Sequence, residues 1–93
     1  MYATVRNYSV APGLAEGLVE RAADVTDVIA GIDGFRAYYL IRTDEGAVSV
    51  SVFDTQEGAE ESSRAAAAYL RENLADLQAD APEVVSGDVV LHA

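Results

Sequence analysis

Two kinds of repeat divide the apolar positions of this chain. Tyr2 to Val10 is rich in Tyr, Thr and Val, the aromatic and β-branched residues that suit a pleated sheet, and predicts a first strand. Pro12 suits a first helical turn, where its missing N–H costs nothing. Leu14, Leu18, Ala22, Val25, Ile29 and Ile32 follow at spacings of three and four, which predicts one amphipathic helix. Gly31 stands where a left-handed C-terminal residue is wanted, and Asp33-Gly34 supplies the turn.

The period then returns to two. Phe35–Thr43 and Ala47–Phe53 read as strands joined by Asp44-Glu45-Gly46, with Gly46 available for positive φ, so they predict a hairpin. Asp54 and Thr55 are both suitable N-caps, with Glu57 placed as in a capping box. Ala59, Ser63, Ala66, Leu70, Leu74 and Leu77 mark the buried stripe of a second helix. Ala79–Glu83, containing Pro82, breaks it. Val84, Val85, Val89, Val90 and Leu91 predict a last strand, with Gly87 suggesting a bulge. The order is βαββαβ: an α+β, ferredoxin-like domain spanning residues 1–93, an antiparallel sheet with two helices on one face.

A sheet covered on one side only should alternate cleanly between apolar and polar. This one does not. Phe35, Ala37, Tyr39 and Ile41 suit the helix side, and by alternation Ala3, Val5, Asn7 and Ser9 are assigned there too. The opposite set still carries Tyr2, Tyr8, Tyr38, Leu40 and Phe53 among Thr4, Arg6, Ser49 and Ser51. Aromatic and Arg-rich patches mark interfaces, so those five residues are expected to form an isologous homodimer contact on the face away from the helices.

Composition narrows the function. The net charge is −10, from 16 acidic residues against six basic ones, all Arg. Such a surface is repelled by phosphate backbones and anionic lipid, which argues against nucleic acid or membrane as partner. The absence of cysteine excludes a disulfide framework, a thiolate metal site and a Cys nucleophile. No basic and apolar leader precedes the first strand, and no apolar run could span a bilayer, so a soluble cytoplasmic protein is expected. Phosphate loops, nucleophile elbows and metal-ligand clusters do not occur.

Several segments resemble the dimeric α+β barrel superfamily, and within it the small proteins grouped with the antibiotic-biosynthesis monooxygenases. They are Tyr2-Ala3-Thr4-Val5-Arg6-Asn7-Tyr8, the Ile32-Asp33-Gly34-Phe35 entry to the second strand, Val48–Phe53 running into Asp54-Thr55, and Gly87–His92. The resemblance covers the whole chain and is one of fold elements; its superfamily hosts oxygenases, haem-degrading enzymes, isomerases and stress proteins.

That resemblance implies a role for Asn7, since related oxygenases and haem degraders orient an oxygen intermediate or ligand with a strand amide beneath the helices. The other reading of Asn7 is hydrogen bonding to backbone groups at the strand end. Tyr38, Tyr39 and Tyr69 are candidates to present phenols to an aromatic substrate, and Tyr39 is the one expected to share the cavity with Asn7 and to pack or hydrogen-bond the ring; core packing is the alternative. Ser63 and Arg64 are candidates for substrate binding, Arg64 for an anionic group, against a surface pair with Glu60 or Glu61. The relatives' tryptophan is missing, and the sole histidine, His92, lies at the end of the last strand, which disfavours haem degradation. The resemblance thus implies a cofactor-independent monooxygenase acting on a small aromatic compound, needing neither cofactor nor metal because the substrate supplies the electrons. A non-catalytic small-molecule-binding or structural dimeric barrel is the alternative.

Overall fold

The computed structural model describes residues 1–77 and 81–93. Strand β1 (Tyr2–Tyr8) stops two residues short of the expected end, because the chain turns at Ser9 and Val10 and Ala11 donates to the Glu45 carbonyl at 2.8 Å. The single expected helix is two, α1 (Leu14–Glu20) and α2 (Ala22–Ala30), broken where Arg21 adopts φ −111° and ψ 28°. Both pieces keep one apolar face inward, through Leu14, Leu18, Val25 and Ile29, whereas Ala22 is exposed. Gly31 is right-handed (φ −75°), so the left-handed turn residue is Gly34 (φ 82°).

β2 (Phe35–Arg42) and β3 (Ala47–Phe53) form the hairpin. Gly46 is there for space and not for positive φ: a Cβ at that position would lie 1.8 Å from the Tyr8 carbonyl oxygen. Thr55 caps α3 (Gln56–Asn73) by accepting from the Gly58 N–H at 3.2 Å, while Asp54 pairs with Arg36. A short 3₁₀ turn, Ala75–Leu77, follows, and part of the expected Ala79–Glu83 breaker lies outside the described residues. β4 (Glu83–Asp88) pairs with β1 in unbroken register, so Gly87 makes no bulge, and Val90 and Leu91 lie beyond the strand, exposed.

The sheet is wholly antiparallel, in the order β2-β3-β1-β4, with the helices on one face, the ferredoxin-like α+β fold. Its one bulge lies in β2: Phe35 pairs with Phe53 but Ala37 pairs with Val52, leaving Arg36 as the extra residue. Because side chains alternate with period two, one extra residue moves every later side chain to the other face. Phe35 does face the helices, meeting Phe53 edge to face with ring centroids 5.8 Å apart. Past the bulge Ala37, Tyr39 and Ile41 turn away, and Tyr38 and Leu40 turn in.

Except at Phe35, the expected face assignment is reversed across the sheet. Tyr8 (6% exposed) and Phe53 (0%) are core residues under the helices, with Tyr2, Tyr38 and Leu40 packed against the same core. None of these five forms the outer face proposed for dimerisation. That face instead carries a row in register across all four strands, Tyr39, Val50, Val5 and Val85, flanked by Ile41, Val48 and Val52. No helix among the described residues is long and apolar enough to cross a membrane.

Candidate functional site

The helix-covered face of the sheet holds an unusual amount of polarity. Thr4, Arg6, Ser49 and Ser51 all point under the helices, and α3 adds Ser62 and Ser63 above them. Arg6, at the centre of β1, is 2% exposed. Its Nε donates to Ser49 at 3.0 Å, Nη1 to Ser63 at 2.9 Å and to Ser62 at 3.4 Å, and Nη2 to Ser51. The network ties β1, β3 and α3 together. Hydroxyls are the right partners for this, since each can accept while its own proton turns elsewhere; Ser62 donates back to the Ala59 carbonyl at 2.6 Å.

A cleft lies beside this network, between the helices and the sheet. Leu18, Val25, Val28 and Ile29 come from α1 and α2, Ala66, Tyr69 and Leu70 from α3, and Tyr8, Tyr38 and Ser49 from the sheet. Its free volume is about 20 Å³, room for about one water. The walls are apolar apart from three phenols and the Ser49 hydroxyl. The Tyr69 hydroxyl is buried without a hydrogen-bond partner among the described residues. Burial pushes the Tyr8 and Tyr38 phenols above the ordinary tyrosine value, against a weaker opposite pull from the Arg6 charge and, for Tyr38, a hydrogen bond with Ser49. Burial also lowers the Arg6 value, although a guanidinium stays protonated. The interior is thus a fixed positive charge beside neutral phenols.

The residues singled out in the sequence are dispersed. Asn7 and Tyr39 (59% exposed) lie on the open face and border no part of the cleft. Ser63 is inside, as a partner of Arg6. Arg64 is on the surface, bound to Glu61 through Nε at 3.2 Å and Nη2 at 2.7 Å, and that bond raises its pKa. His92 lies with Met1, Arg36, Ala37, Tyr39, Val52 and Val89 in a groove on the open side. The interior cleft offers no imidazole, so its residues do not fit haem ligation by histidine. No cluster of metal-ligating side chains occurs among the described residues.

Sequence reasoning named Tyr69 among the candidate phenols, but it missed Arg6 as a site residue and set Tyr8 and Tyr38 on the opposite face. A signal was present: Arg6, Ser49 and Ser51 share one face with Tyr8 and Phe53, and the polar members suggested solvent when the aromatic ones were marking the core.

Solved structures share this fold throughout. A protein of unknown function from Nitrosomonas europaea superposes with TM-score 0.71 at 20% identity, over 99% of this chain and 90% of its own. The haem degrader MhuD of Mycobacterium tuberculosis, solved with two haems in its active site, gives TM-score 0.69 at 18% identity, over 100% and 99% of the two chains. A monooxygenase of Streptomyces coelicolor, solved with the ligand nanaomycin D, gives 0.62 at 22% identity, over 99% and 91%. No curated protein matches the sequence. The sequence model of one family covers residues 1–69, from β1 through most of α3 and so every residue around the cleft except Leu70. The chain belongs to the antibiotic biosynthesis monooxygenase family.

Proposed function

We propose that this protein is a cofactor-independent monooxygenase acting on a small aromatic compound held between the helices and the sheet. The observation that carries it is the unpartnered Tyr69 hydroxyl, buried in the wall of an apolar cleft that also presents Tyr8, Tyr38 and Ser49. An orphaned buried hydroxyl costs about 1–3 kcal/mol, a cost that a ligand oxygen would remove. Apolar walls with a few convergent polar groups are the usual make-up of a small-molecule site. Family membership and the fold shared with a nanaomycin-bound monooxygenase point the same way.

The reaction class is the oxidation of an activated aromatic methylene or quinol by dioxygen. For a methylene, R₂CH₂ + O₂ → R₂C=O + H₂O: one oxygen atom enters the carbonyl, the other leaves in water, and the substrate provides all four electrons. The protein's part is to pack the ring among Val25, Val28, Ile29 and Leu70, orient its oxygens through Tyr69 and Ser49, and exclude bulk water. Entry requires the cleft to widen, and the break at Arg21 between α1 and α2 is where the covering layer can give.

A second reading, a non-catalytic binding protein, draws on the absence of a carboxylate or imidazole among the cleft residues. Oxygen consumption with dihydroxynaphthalenes, above the uncatalysed rate, separates the two. Ala66→Phe, which fills the cleft from α3, is expected to lower the rate at least tenfold, while Asn7→Ala on the opposite face leaves it unchanged. No consumption above background, or an unaffected Ala66→Phe protein, would overturn the assignment; a loss in Asn7→Ala would return the site to the open face.

The open sheet face is also proposed to pair with its copy in a second chain, as a homodimer. Tyr39, Ile41 and Val85 are exposed there beside half-buried Val5, Val48, Val50 and Val52, an apolar area of the kind that marks association.

A further inference from the structure

Among the described residues three of the six arginines stand in ion pairs, and of the three that do not, Arg21 and Arg71 are exposed to water while Arg6 is buried. Arg36 pairs with Asp54, Arg42 with Glu16 at 3.5 Å and Arg64 with Glu61 at 2.7 Å, and all three pairs are exposed. Arg6, the buried one, has no carboxylate within ion-pair distance among the described residues, in a protein with 16 acidic side chains. Its partners are four serine hydroxyls. Hydroxyls satisfy N–H groups but carry no countercharge, so a whole positive charge stays uncompensated where the dielectric is low. The neighbouring phenols do not compensate it either, since burial holds Tyr8 and Tyr38 in their neutral forms.

Resting on the assignment of the cleft as the substrate site, we infer that the ligand is an anion: an aromatic compound whose ionised carboxylate or phenolate oxygen takes the place of the missing counter-ion of Arg6. The geometry connects the two. Arg6 is not itself a lining residue, but Ser49 lines the cleft and accepts from Arg6 Nε, and Tyr8 and Tyr38, the other sheet residues of the cleft, feel the guanidinium charge. A guanidinium has five N–H groups, and the serines take four, leaving one on Nη2 without a described partner. The Ser49 hydroxyl can go on accepting from Arg6 while its own proton turns toward an arriving oxyanion. Bound so, the ligand supplies the missing countercharge where the low dielectric strengthens attraction to a guanidinium already stripped of water. The polar cleft residues that would meet the ligand are Tyr8, Tyr38, Ser49 and Tyr69, with Arg6 and its partner Ser63 adjoining through Ser49.

The test compares 1-hydroxy-2-naphthoate with its carboxamide by titration calorimetry at neutral pH. The wild-type protein is expected to bind the carboxylate at least tenfold more tightly. Equal affinities, preference for the amide, or no binding of either would overturn the inference, and this comparison needs no variant. Arg6→Gln is then expected to bring the ratio to near one, and Arg6→Lys to restore part of it; an unchanged ratio in a folded Arg6→Gln protein overturns the inference as well. The two proposals fail separately. Carboxylate-selective binding without oxygen consumption from any quinol leaves the anion site standing and removes the oxygenase, whereas oxygen consumption without charge preference does the reverse.

Discussion

Arg6 and Ser49 are register partners on adjacent strands, and the guanidinium Nε of the first donates to the hydroxyl of the second at 3.0 Å. Removing an acceptor from a buried charge costs more than removing one from a neutral donor, about 1.5–3 kcal/mol. Ser49→Ala is expected to lose that much stability in urea denaturation. Ser86→Ala, which breaks a bond of 3.1 Å to Thr4 on an exposed edge strand, should lose less than about 1 kcal/mol. Equal losses would show that Arg6 finds a replacement partner.

Tyr69→Phe removes the orphaned hydroxyl and leaves the ring. The ligand-free protein is expected to gain about 1 kcal/mol, read as a higher thermal midpoint, while its affinity for aromatic ligands falls. A loss of stability would mean that the hydroxyl already has a partner, such as a buried water.

Gly46 and Gly87 make a matched pair, both in or beside strands and both with negative φ. At Gly46 a methyl group runs into the Tyr8 carbonyl, whereas at Gly87 nothing lies within 4 Å. Gly46→Ala is expected to cost more than about 3 kcal/mol or abolish folding, and Gly87→Ala to stay within about 1 kcal/mol of wild type. Denaturation midpoints and far-ultraviolet dichroism check both.

Alkaline pH should unfold the protein through its buried phenols. Below about pH 10 Tyr8 and Tyr38 are neutral in both the folded and the unfolded chain, so their contribution is fully present. Above it the unfolded chain ionises them while burial keeps the folded ones protonated, so stability falls as pH rises toward the raised folded values. Absorbance at 295 nm is expected to show part of the phenol ionisation coinciding with loss of helical dichroism, and that part should shrink in Tyr8→Phe and Tyr38→Phe. Complete ionisation in a still-folded protein would contradict their burial.

The open face supplies the last prediction. Sedimentation velocity at micromolar concentration is expected to give a dimer for the wild type and a folded monomer for Ile41→Glu combined with Val85→Glu. Both residues are exposed in the single chain, at 47% and 64%, so the change should leave its folding intact. A monomeric wild type would end the proposal.

By itself the sequence determined the order of strands and helical segments, though not the break at Arg21, since that order rests on local signals: β-branched runs, the three–four spacing of Leu14 to Ile32 and of Ala59 to Leu70, and the Thr55 cap. These act over one turn or one hairpin and need no partner from elsewhere in the chain. The side of the sheet that each residue faces is a different kind of quantity. It depends on register, and register passes through Arg36, where one bulged residue carries Tyr39 outward and Tyr38 inward. Alternation counted from Phe35 gives the wrong face from Ala37 onward, and in β1 and β3, where nothing local says which alternate set faces the helices, the other choice took Asn7 inside and Arg6 outside. The site was hidden for the same reason. Arg6, Ser49, Ser51, Ser62 and Ser63 are polar, and in a linear reading polarity signifies solvent; only the tertiary structure, by satisfying a buried guanidinium from two strands and a helix, makes that polarity an interior.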